Sequence, residues 1–235
     1  MPVSPSVSAR VRRFGVLSAA GTALLIVGYV ATLVAGLLSL QSPQQPIGDP
    51  LFSVLEVLIL LMTPLMVAVM VAVHAWAPAE ARVFSLMAVV FMSLLAGLTC
   101  SVHFVILTVA RQAAFAGLAW TPLFLSFEWP SVAYALDILA WDVFFALSVL
   151  FAAPVFRGGR LATSIRMLLV ISGVLALGGL SGVVAGDMRL RMIGVVGYAG
   201  VFPVAVLLMA VLFHRATPRE PAGPEDGGGR QGGAP

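Results

Sequence analysis

The sequence has no lysine, a single cysteine and few charges of either sign. Charged residues make up 10% of its 235 positions, whereas soluble domains carry about 25%. That deficit excludes an ordinary soluble domain. The lone Cys100 excludes an internal disulfide and any zinc site built from several cysteines. All thirteen basic residues are arginine. Together with abundant Ala, Val, Gly and Pro, this fits the codon usage of a GC-rich genome and points to a bacterial source. The net charge is +3, but the arginines are scattered at segment ends rather than gathered on one face. That pattern argues against a nucleic-acid partner. There is no Gly-rich phosphate loop, no H-E-x-x-H and no Gly-x-Ser-x-Gly. Ser101 lies two residues from His103 and on a different helical face, so it makes no Ser–His pair. No enzyme class is singled out, and none is excluded outright.

What is present is apolar. Hydrophobic residues reach 60%, and the mean hydropathy is +1.06. The runs are long enough to cross a hydrocarbon core of about 30 Å. We therefore predict an all-α, polytopic membrane bundle of six transmembrane helices, embedded in a lipid bilayer. The expected spans are residues 14–40, 51–76, 83–109, 128–156, 161–185 and 192–213. Residues 1–13 read as a basic arm, 14–213 as the membrane domain and 214–235 as a disordered Gly- and Pro-rich tail. The first run is much longer than a signal-peptide core of about 7–15 residues, so it reads as an uncleaved helix. Pro64 and Pro203 are expected to kink their helices. Residues 110–127 are apolar and read as an interfacial or re-entrant segment broken at Pro122, with Trp120 and Trp129 at the membrane surface.

Arginine placement orients the bundle. One side collects Arg10, Arg12, Arg13, Arg82, Arg157, Arg160, Arg166 and the arginines of the tail. The other holds only Arg111, Arg189 and Arg191. The positive-inside rule then makes both termini cytoplasmic in a bacterial plasma (inner) membrane.

The fourth span carries two acids, Asp137 and Asp142. A carboxylate facing lipid costs about 2.5–3.5 kcal/mol on insertion scales, so both should face protein or trapped water. Five residues correspond to about 140° around an α-helix, so one partner helix should hardly receive both. At 1.5 Å per residue, Glu56, His103, Asp137 and Tyr198 all fall roughly 8–10 Å below the outer boundary. Asp142 lies deeper, roughly 18 Å down, near the bilayer middle. Cys100 sits one turn below His103 on the same face. No arginine occupies the central part of any predicted span.

These six residues, Glu56, Cys100, His103, Asp137, Asp142 and Tyr198, form the candidate ligand- or ion-binding set. Two readings stay open for it. In one, the groups build an outward-facing proton or cation site. In the other, they are hydrogen-bonded pins between helices, satisfied by Tyr134, Thr63, Thr99 or Ser101. Cys100 and His103 could serve zinc or copper, although a free cysteine among small residues commonly only packs. His74 lies at the other end of its span, so it cannot join His103 in bis-His haem ligation, which argues against haem. Gly178, Gly182 and Gly186 form a small-residue face. It can pack within the bundle or carry homo- or hetero-oligomerisation.

Three stretches, CSVHFVILTV (100–109), FEWPSVAYALDILAWDVFF (127–145) and LFAAPVFRGGR (150–160), resemble a group of uncharacterised multi-pass bacterial integral membrane proteins. The resemblance extends over most of the chain apart from its tails. It implies the membrane class and assigns no activity. Three function classes follow from the sequence. One is a small transporter or sensor with an outward polar pocket. A second is a structural or accessory subunit. The third is a membrane enzyme using the carboxylate–histidine set.

Overall fold

The computed structural model describes residues 9–42 and 45–216. Within them the chain is helical, and six helices are long and apolar enough to cross a membrane: Ala9–Leu38, Leu51–Trp76, Ala79–Thr108, Val132–Val155, Gly159–Ala185 and Met188–Arg215. Helices are what an apolar solvent demands, because they satisfy backbone N–H and C=O groups within the segment. The spans pack in sequence order, each on the next, and the last closes on the first. Arg12 donates to the His214 carbonyl at 3.3 Å, so the two ends of the described chain meet on one side of the bundle. The fourth span is the most enclosed of the six, with the largest share of buried residues.

Several boundaries differ from those expected, for local reasons. The first helix begins at Ala9, inside the stretch read as an arm, and the last runs on to Arg215. Most of the expected disordered tail, from residue 217 onward, lies outside the described residues. The fourth span starts only at Val132, where the Ser131 side chain accepts from the Tyr134 amide at 3.1 Å and caps the helix. Pro122 does not break a segment. It opens the short helix Thr121–Leu125, a position where a missing N–H costs nothing. Pro64 sits inside an uninterrupted helix.

Two stretches widen to π turns, Leu139–Phe144 and Val196–Val201. Pro203 follows the second by one residue, in the first turn of the helix that continues it. Ser172 of the fifth span donates to the Gly197 carbonyl within that turn at 2.9 Å. Small residues allow the close approach this needs. A Cβ on Gly197 would lie 2.7 Å from the Ser172 carbonyl oxygen.

Candidate functional site

Four spans each bring a charged group to the half of the bundle away from the chain ends. Glu56 comes from the first turns of the second span, and His103 from the last turns of the third. The fourth span supplies Asp137 just before its π turn and Asp142 within it. Arg191 comes from the start of the sixth. That span opens with the tight turn Met188–Arg191, capped by Asp187 accepting from the Arg189 amide at 3.0 Å. Gly182 holds this turn against the fifth span. A Cβ there would stand 3.0 Å from both the Arg191 nitrogen and the Asp187 oxygen. The Arg191 side chain then runs inward along the bundle.

The five side chains form one chain of contacts. Glu56 Oε2 meets His103 Nδ1 at 2.9 Å. On the far side of the ring, His103 Nε2 faces Asp137 Oδ1 at 3.5 Å, without hydrogen-bond geometry. Arg191 Nη2 donates to Asp137 Oδ2 at 2.8 Å, and Arg191 Nε donates to Asp142 Oδ2 at 3.3 Å. The guanidinium lies over the Tyr134 ring, 4.6 Å from its centroid, and the Phe127 ring lies 4.9 Å from that of His103. All five charged residues are buried, none more than 9% exposed.

The histidine is the variable element. A carboxylate only accepts, whereas a neutral imidazole has one donor and one acceptor nitrogen. With Nδ1 donating to Glu56, a neutral His103 turns a lone pair toward Asp137. Only the protonated ring donates to both carboxylates at once. Three acids thus face one permanent cation, Arg191, and one cation that depends on a proton.

Several sequence expectations are corrected by this geometry. Arg191 is not a loop arginine. The sixth span begins four residues earlier than expected, and its long side chain carries the charge inward. One helix does receive both Asp137 and Asp142. The π turn between them has an i→i+5 register that narrows the expected angle, and the guanidinium is wide enough to reach both. Thr63, Thr99 and Ser101, named as satisfying partners, make no hydrogen bond to the acids among the described residues. Thr63 bonds the Ile59 carbonyl and approaches Cys100 Sγ at 3.2 Å, and Ser101 bonds the Gly97 carbonyl. Thr99 Oγ1 is buried without a hydrogen-bond partner among the described residues.

Glu56, His103 and Asp137 are brought together as expected from depth, and Asp142 joins them through Arg191. Tyr198 lies beside them, its ring 5.0 Å from that of Trp141. Cys100 is not part of the set, because it turns to Thr63 rather than to the charged chain. Among the described residues no three His, Cys, Asp or Glu side chains are grouped to hold a metal ion. His74 is remote from the set and pairs with Ser85 at 2.8 Å. Gly178 and Gly182 face the sixth span of the same chain, and Gly186 ends a helix at φ +70°. Arg191 was missed for one reason, a misplaced helix start. Charge balance held the signal: two buried acids on one helix required a nearby cation.

A cavity of about 870 Å³ adjoins the chain. Tyr29, Glu56, His103, Asp137, Arg191 and Tyr198 line its interior, and the exposed Gln45, Asp49 and Glu128 line its outer part. The segment of Leu125–Glu128 forms part of this outer wall. Trp120 does not, and packs instead on Phe115 and Phe124. At the rim Arg111 bridges to Asp49 at 3.2 Å. The Ser53 hydroxyl, helped by Arg111, holds the Asp49 carboxyl below the usual carboxylate range. Comparison with family models, curated proteins and solved structures finds no match for this chain.

Proposed function

We propose that this multi-pass membrane protein is a small transporter or sensor whose cavity is coupled to a proton held at His103. The observation that carries the reading is the placement of one imidazole between two buried carboxylates on the wall of a cavity. Intramembrane ionisable groups are costly, and they mark ion or proton sites when they line such a space. The positive-inside asymmetry supports cytoplasmic termini, and the cavity then opens away from the cytoplasm. Within the set the roles divide. Glu56, His103 and Asp137 exchange the proton. Asp142, fully buried and met by Arg191 at 3.3 Å, serves as an anchor for that guanidinium. This anchor is where the structural-pin reading retains its force.

The test is an infrared titration of the protein in lipid nanodiscs between about pH 5 and about pH 8, the range in which histidine charge commonly changes. A carboxyl band that changes with pH, is lost in Glu56→Gln and moves in His103→Gln supports the proton site. A titration that neither variant alters refutes it. Orientation is checked separately. A reporter active only in the cytoplasm should work when joined after His214, and strong activity of a periplasm-only reporter there would reverse the bundle.

A further inference from the structure

We propose that the cavity takes an amphipathic organic cation, which displaces the proton from His103; this rests on the proton site proposed above. The argument is one of charge accounting. Arg111 is matched by Asp49 at the rim, and inside Arg191 meets two carboxylates, Asp137 and Asp142, of which it can balance one. Among the described residues Glu56 pairs only with His103. With the imidazole protonated, one negative charge is left over among the three acids, and with it neutral two are left at the cavity wall. A ligand cation can supply the same charge from the cavity side.

A second observation points to a ligand. His103 Nε2 is buried with no hydrogen-bond partner among the described residues, in a residue only 4% exposed on the cavity wall. The space is also built for a bulky guest. Its volume falls within the range of about 300–1,000 Å³ typical of small-molecule sites. Tyr29, Phe52, Trp141 and Tyr198 line it, and aromatic faces attract cations, most strongly quaternary ones. An anion would meet Glu56 and Asp137 inside and Asp49 and Glu128 toward the outside.

The shape of the bundle favours an amphipathic molecule. The first span packs on Phe202–Arg215 of the last. The preceding part of the last span, Val196–Val201, packs on the fifth instead. Leu33 of the first span and Val195 of the last both line the cavity. A guest with both apolar surface and a positive charge can meet these apolar walls as well as the acids.

The groups that bear on His103 set the sign of the pH dependence. Glu56 of the second span and Asp137 of the fourth face it directly. Tyr29 of the first span, Tyr134 of the fourth and Arg191 and Tyr198 of the sixth share the cavity with it. Proton and ligand cation compete for the same negative field, so binding should release a proton and weaken as pH falls.

Tetraphenylphosphonium is the probe, with tetraphenylborate as a control of similar shape and opposite charge. Binding to the full chain in nanodiscs is measured by calorimetry in two buffers of different ionisation heat, against empty nanodiscs. We expect saturable binding of the cation alone, with proton release. Glu56→Gln should weaken binding by about tenfold, and His103→Gln should abolish the proton release. Equal binding of the anion, or cation binding without proton release in the wild type, overturns the proposal. Absence of cation binding overturns it too. If the infrared titration still responds to Glu56→Gln, the proton site survives that failure. If it does not respond, both ideas fall together.

Discussion

The two halves of the bundle solve the same problem differently. Near the chain ends the helices meet through apolar side chains. Met66, Val69, Met70, Val73, Met209 and Phe156 are fully buried there, and Trp76 stacks on Phe156 at 5.8 Å. Buried polar groups in that half are uncharged, such as Ser148 donating to the Ala88 carbonyl at 2.7 Å. In the other half five charged side chains from four spans are linked in one chain beside a cavity. Lipid is as apolar as leucine, so helices gain from packing against each other rather than from leaving water. The first half uses that packing. The second half gives up packing volume to hold charges, and its stability depends on every charge finding its partner.

This contrast should break first at Arg191. Arg191→Met leaves Asp137 and Asp142 buried without their cation. Removing one partner of a buried ion pair costs about 3–5 kcal/mol, so chemical unfolding in mixed micelles should show a loss of that order. Adding Asp142→Asn should recover part of it, because an amide there no longer requires a counter-charge. If Arg191→Met unfolds like the wild type, the charged half does not rely on this pair.

A smaller effect is expected from Gly194→Ala. Its Cβ would stand 2.6 Å from Asp142 Oδ1, so the carboxylate must move from its place beside Arg191. Overpacking of this kind costs about 1–3 kcal/mol. The fall in melting temperature should be absent when Asp142 is first changed to Ala, since the clashing oxygen is then gone. An equal fall in both backgrounds would place the strain in the backbone.

The apolar half should be the more forgiving. Met66→Leu conserves volume in a fully buried position, and such exchanges cost less than about 1.5 kcal/mol. Its unfolding should stay close to that of the wild type, and the infrared titration of the proton site should not move. A Met66→Leu loss as large as that of Arg191→Met would erase the distinction between the halves.

Much of this molecule is legible in its sequence, because membrane insertion acts on local composition. A lone apolar segment must satisfy its own backbone, so the six spans follow from hydropathy and length. The boundary Leu51–Trp76 agrees with expectation to the residue. Glu56, His103 and Asp137 could be placed at one level because helical rise turns sequence position into depth. Their inward direction follows from the cost of facing lipid with a charge.

Arg191 shows where that reasoning stops. Its position in the sequence, four residues after Asp187, reads equally as a loop or as a first helical turn. Only the fit of Gly182 against the Arg191 backbone makes it the turn that sends the guanidinium inward. The π turn at Leu139–Phe144 is likewise absent from helical periodicity, yet it brings Asp137 and Asp142 within reach of one cation. Cys100 and Thr63 meet across two helices that sequence spacing could not rotate. Span number and depth are properties of each helix in its solvent and were determined by the sequence alone. The pairing of charges depends on azimuth, helix register and close contact between segments far apart in the chain, and only the tertiary structure decided it.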